Sequence, residues 1–183
     1  MPSPLRLAAL AILLPGCLTL RASVGPRTTV DGARGGTATG GFGMGWTLPG
    51  HRAVYAVVNG GVDGGDHARA LLFDSFSYVD HDAPLPLRVD LRLGSRFGRT
   101  RFGEGDQVIV GAAVALLPWH ATTEDHGGRS EKGWTDIGPD LIGVRGLGVE
   151  LAVDTLLPTE PADRQEVMIG LNLVAEMGTM IDH

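Results

Sequence analysis

The sequence predicts an all-β protein, an antiparallel up-and-down barrel of about eight strands, with a β-sandwich as the alternative. Three observations predict it. Apolar and polar residues alternate with period two in segment after segment, as strands with one apolar face require. Turns rich in glycine, aspartate and proline separate most of those segments. No amphipathic helical stretch interrupts them, and no repeat of fixed period is found.

Residues 18–36 mix Pro, Gly, Thr, Arg and Ser and read as a flexible connector, with a short strand around residues 28–30 as the one β signal. From Thr37 the period is two. Phe42, Met44, Trp46 and Leu48 share one face, with Gly41, Gly43 and Gly45 on the other, and Pro49-Gly50 turns the chain. Residues 53–62 form a β-rich segment with Val54, Ala56, Val58 and Val62 on one face, and the glycine-aspartate stretch 60–66 follows as a loop. Residues 70–79 are a third strand, and 80–86 a polar turn containing proline.

Residues 87–97 alternate most strictly. Leu87, Val89, Leu91, Leu93 and Phe97 face one way, and Arg88, Asp90, Arg92 and Arg96 the other. A helix would scatter these charges around its circumference. Residues 107–117 are apolar on both faces, and their Val and Ile content favours strand. Residues 120–139 are the longest polar segment and read as a loop between Trp119 and Trp134. Alternation returns over 141–157, with Leu147, Val149, Leu151 and Val153 opposite Gly146, Gly148, Glu150 and Asp154. It returns again over 167–176.

The chain has 183 residues, a formal net charge of −6, 28 glycines and a single cysteine. That length suits one domain able to bury a sizeable core without disulfides. The scattered acidic excess and the lack of a basic stripe exclude nucleic acid as a partner. Lys132 is the sole lysine, while arginine is common, a bias of composition rather than of chemistry.

The sole cysteine closes a short leader. Residues 1–6 carry one positive charge, residues 7–14 (LAALAILL) are apolar, and Pro15-Gly16 precedes Cys17. The apolar run is too short to span a bilayer, which needs about 20 residues. Leu13-Leu14-Pro15-Gly16-Cys17 resembles the lipobox of bacterial lipoproteins. The resemblance covers about the first tenth of the chain. It implies cleavage before Cys17, diacylglyceryl on its sulfur, an acylated amine and a lipid-anchored place in the bacterial cell envelope, at the outer membrane. Two further readings stand beside it: an ordinary signal peptide cut after Ala22, and a buried free thiol. The resulting division is a lipoprotein signal peptide at 1–16, a lipidated tether at 17–36, the β-domain at 37–177 and a tail at 178–183.

The polar face Arg88, Asp90, Arg92, Arg96 has two readings. It lines the interior of a small barrel, with Glu150, Asp154 and Asn172 as partners from other strands, or it faces water on a soluble sheet. Arg88, Asp90, Arg92, Arg96 and Glu150 are therefore the candidate lumen or ligand-binding residues. His120, Asp125 and His126, and separately Asp80, His81 and Asp82, carry metal-ligand chemistry. Their spacing matches neither a His-Glu-x-x-His nor a cysteine-histidine pattern, so no metal or cofactor is assigned. Residues 60–66 are a single imperfect copy of a glycine-aspartate calcium repeat. The glycines at 41–45 and 143–148 lie inside strands, where the dinucleotide fingerprint has no context. Ser75 and Ser95 lack a nucleophile elbow.

No catalytic motif emerges. The leading expectation is a lipid-anchored envelope protein with a small β-barrel resembling outer-membrane barrels, structural or binding in role. Its partners are the membrane, reached through the lipid, and a hydrophobic small molecule or an envelope protein. One alternative is a soluble, lipocalin-like tethered domain. The other is a metal-dependent hydrolase using the loop histidines. Inserted and soluble barrels share period two and differ in which face points inward.

Overall fold

The computed structural model describes residues 17–64, 68–97, 106–125, 141–159 and 165–181. They form eight strands: β1 (Cys17–Thr29), β2 (Arg34–Leu48), β3 (Arg52–Gly64), β4 (Arg69–Asp80), β5 (Leu87–Phe97), β6 (Gln107–Asp125), β7 (Leu141–Pro158) and β8 (Glu166–Ile181). Every neighbouring pair is antiparallel, and β8 returns to pair with β1, closing an up-and-down barrel. Closure leaves no unpaired edge.

The register fixes the barrel's geometry. Following paired residues from Cys17 through Gly45, Tyr55, Ser77, Asp90, Ala113, Ala152 and Gly170 leads back to β1 at Arg27, ten residues further on. With a rise of about 3.3 Å per residue and about 4.8 Å between strands, that stagger tilts eight strands by about 40° to the barrel axis. The start of β1 and the end of β8 share one end, here the terminal end, with the β2–β3, β4–β5 and β6–β7 connections. The β1–β2, β3–β4, β5–β6 and β7–β8 connections lie at the far end.

Local chemistry places the turns. Gly32 (φ 97°) and Gly50 (φ 77°) adopt the left-handed conformation that a Cβ disfavours. His51, also left-handed at φ 47°, sets its Nδ1 2.7 Å from Asp82 Oδ1 across the terminal end. The β6–β7 register shifts between Leu116 and Trp119, where Pro118 has no N–H to offer the ladder.

Several sequence-based boundaries are corrected. Residues 17–36 are not a tether. Cys17 to Val24 pair without a gap to both β2 and β8, and the ladder to β2 runs on to Thr28. The weak β signal there came from arginine, glycine and proline sitting in a strand that alternates inward and outward like the rest. The barrel therefore includes β1 from Cys17 as well as the residues from Thr37 onward. The expected tail at 178–183 belongs to β8 as far as Ile181. β3 runs on through the supposed loop to Gly64, and β6 through His120 to Asp125. The rest of that polar segment, 126–140, lies outside the described residues, as do residues 1–16.

The two faces are reversed relative to a soluble barrel. Outward side chains are apolar on all eight strands: Leu18, Phe42, Val58, Phe76, Leu91, Val114, Leu151 and Leu173 are examples, each about half exposed. The outward positions of β5 from Leu87 to Phe97 cover about 25 Å along the axis at the tilt above, the height of the apolar band of membrane-spanning barrels. Inward side chains are mostly polar at mid-height. Smaller apolar clusters fill both ends: Tyr55, Val79, Leu117, Ile142 and Met180 at the terminal end, and Leu71, Phe73, Ile109, Leu156 and Met168 towards the far end. Inward Gly41 and Gly43 make room on β2 for the bulky side chains of β3, since a Cβ on Gly43 would stand 2.6 Å from Val57 Cγ2.

Candidate functional site

The candidate site is the charged interior and its far-end mouth. Alternation on β5 turns Arg88, Asp90, Arg92 and Arg96 inward, and the same parity on β7 turns Glu150 and Asp154 inward. Among the described residues, five arginines (21, 27, 88, 92 and 96) and five carboxylates (63, 90, 150, 154 and 176) lie inside with side chains at most 11% exposed. The interior is thus electrically balanced.

These charges form two clusters. Nearer the terminal end, Arg88 is the hub. Its Nε donates to Asp90 at 2.9 Å, Nη1 to Glu176 at 2.7 Å and Nη2 to Glu150 at 2.6 Å. Arg21 reaches the same Asp90 at 3.2 Å and lies 3.8 Å from Glu176. Asn172 donates to the other oxygen of Glu150 at 2.9 Å. Towards the far end, Asp154 takes Arg27 at 3.3 Å and Arg92 at 3.4 Å, and Asp63 takes Arg96 at 2.8 Å and Arg27 at 3.6 Å. The Arg92 guanidinium also lies 4.2 Å from the centre of the Phe73 ring. Charges buried this deeply persist only when paired, and each of these has a partner.

All five lumen residues expected from sequence, Arg88, Asp90, Arg92, Arg96 and Glu150, line this interior. Sequence reasoning missed Arg21 and Arg27, hidden in the supposed tether, Asp63 in the supposed glycine loop, and Glu176. The signal that could have found them is parity: Thr19, Arg21 and Ser23 alternate with Leu18, Leu20, Ala22 and Val24.

Side-chain packing and ion pairs fill most of the barrel from the terminal end to beyond mid-height, leaving a void of about 20 Å³ beside Arg21, Asn59, Arg88 and Glu150. At the far end it opens into a cavity of about 370 Å³ lined by Arg27, Arg34, Asp63, Arg69, Arg96 and Glu166. Of the two serines considered from sequence, Ser75 is held by Asn59 Nδ2 at 3.0 Å inside the barrel, and Ser95 pairs with Leu72 and Val108 on the opposite parity of β5.

The two histidine groups singled out from sequence meet in part. His81 is buried in the β4–β5 connection, and its ring stacks on that of His120 from β6, with centroids 5.1 Å apart. Their ring nitrogens have no hydrogen-bond partner among the described residues. His126 lies outside the described residues, and among those described no group of three or more His, Cys, Asp or Glu could hold a metal ion. Cys17, the expected lipid-attachment residue, opens β1 with its side chain inward, 2% exposed, in the apolar cluster of the terminal end.

No protein-family model, curated protein or solved structure matches this chain.

Proposed function

We propose that this protein is an integral membrane β-barrel of the bacterial cell envelope, with a structural or binding role rather than a conducting or catalytic one. One observation carries the reading: the apolar face is outside and the charged face inside. An outward belt of about 25 Å in a bilayer removes from water the area that a soluble barrel would leave exposed. Trp46 and Trp119, outward and close to the terminal end, stand where amphipathic rings meet a membrane interface. The soluble, ligand-carrying alternative calls for an apolar cavity, whereas here ion pairs fill the middle and charged side chains line the mouth.

The lipid anchor is part of this proposal. Cleavage before Cys17 would leave β1 whole, whereas cleavage after Ala22 would remove six residues that pair with both neighbours. Cys17 and Trp46 are at nearly the same level on the barrel, so acyl chains on Cys17 would enter the bilayer beside the belt. This requires the first residue to turn its sulfur outward, away from Tyr55.

Reconstitution with lipids brominated at defined acyl depths tests the insertion. Variants keeping one tryptophan, Trp46 or Trp119, are expected to be quenched by the shallow bromines and little by the deep ones. Fluorescence indifferent to brominated lipid would contradict insertion.

A further inference from the structure

We propose that the void inside the barrel is an internal hydration site, holding one water molecule that joins the two charge clusters. The void measures about 20 Å³. Arg88 and Glu150 reach it from the cluster nearer the terminal end, and Arg92 from the cluster towards the far end. Among the described residues no ion pair crosses from one cluster to the other.

Arg92 is the chief donor at the void. Its side chain is 9% exposed, and its Nη1 lies 3.4 Å from Asp154 Oδ2. Its guanidinium sits over the Phe73 ring at 4.2 Å. Charge and ring contact are thus supplied, but no described residue accepts a hydrogen bond from it. Buried N–H groups left in that state are costly. The rest of the lining has spare capacity of both kinds. Asn59 Nδ2 donates to Val57 O, Phe73 O and Ser75 Oγ, while Asn59 Oδ1 accepts from no described residue. The Ser75 hydroxyl accepts from Asn59 at 3.0 Å and donates to no described residue. The Ser23 and Thr39 hydroxyls share one hydrogen bond of 2.7 Å, which leaves one of their two protons over.

Size and charge choose the ligand. A polar void takes a water when it offers at least about 10–15 Å³ and two to four partners. A space of about 20 Å³ therefore admits one molecule. The five arginines and five carboxylates of the interior already balance, so no net charge is left to hold an anion. A halide only accepts hydrogen bonds. Water accepts from Arg92 and a hydroxyl and donates to Asn59, so one molecule satisfies both sides of the void. The site lies inside the barrel and does not depend on membrane insertion.

The full chain, isotope-labelled in deuterated maltoside micelles, is examined by NMR for magnetisation transfer from water to the ring protons of Phe73, which do not exchange with solvent. Transfer is expected, with laboratory-frame and rotating-frame effects of opposite sign, as a long-held water gives. Two variants shrink the void from different walls, Ser23→Val and Ser75→Thr. Loss of the transfer in either, in protein that still migrates as a folded barrel, supports the site. Urea midpoints of the wild type in chloride, bromide and gluconate at one ionic strength are expected to agree. Absence of transfer in the folded wild type, or transfer unchanged in both folded variants, overturns the proposal. A midpoint raised by chloride and bromide alone would give the void to an anion and overturn it as well.

Discussion

Replacing Arg88 by methionine should cost about 3–5 kcal/mol of stability, the magnitude for stripping one partner from a buried ion pair. The structure puts this residue at the upper end of that range. Its guanidinium donates to three carboxylates at 2.6–2.9 Å, and Asp90, Glu150 and Glu176 are only 5–7% exposed. Without Arg88, Asp90 and Glu176 retain Arg21 at 3.2 and 3.8 Å, and Glu150 retains only the amide of Asn172. The interior then holds four arginines against five carboxylates. Adding Glu150→Gln restores the balance and should recover about 1–3 kcal/mol of the loss, because the unpaired charge rather than the missing contact dominates. The assay is urea unfolding of the vesicle-bound protein followed by tryptophan fluorescence, comparing wild type, Arg88→Met and the double variant. A loss under 1 kcal/mol for the single variant would refute the reasoning. So would a double variant no more stable than the single one.

Three further outcomes follow from the same structure. Asp74 is the one charged outward residue between the rims of the belt among the described residues, about 16 Å from the level of Trp46 and 13 Å from that of Phe97 by strand geometry. Asp74→Leu should therefore stabilise the inserted barrel by about 1–2 kcal/mol, read as a higher urea midpoint in vesicles, and an unchanged or lower midpoint would contradict a lipid-facing position. Burial pushes His81 down from its ordinary value of 6.5 to about 4, with Glu176 pulling the other way. The folded protein thus binds fewer protons than the unfolded chain between those values. The stability linked to His81 is intact above pH 6.5 and falls as pH drops towards 4, by up to about 3 kcal/mol. His81→Phe should flatten that part of the pH–stability curve. Finally, intact-mass analysis of the mature protein should find diacylglyceryl and acyl additions on a chain starting at Cys17. An unmodified Cys17 would return the thiol to its apolar cluster and assign membrane attachment to the barrel alone.

The strands were legible wherever outward apolar residues alternated with inward polar ones, as at Leu87 to Phe97, because period two survives whichever face points to water. What the pattern could not reveal was orientation. Arg88 and Asp90 read more readily as a solvated face than as a barrel lining, and only closure, with Glu150 and Glu176 arriving from β7 and β8, turns that reading round. β1 was obscured by its inward residues. Thr19, Arg21, Ser23 and Arg27 make a strand look like a polar linker, when in an inverted barrel polar inward positions are the rule. The glycines of β3 and β2 hid strand ends in the same way. The stacking of His81 on His120 could not be read at all, since it depends on the extension of β6 beyond the bulge at Pro118.

Insertion of the barrel itself is tested most directly on a Cys17→Ala variant exported by an efficiently cleaved signal peptide, so that no lipid can hold it. Its mature form should stay with membranes after alkaline carbonate extraction, need detergent for release, and migrate differently on gels before and after boiling, as closed barrels do when they unfold. Release in carbonate as a folded, water-soluble protein would contradict the outward-apolar account.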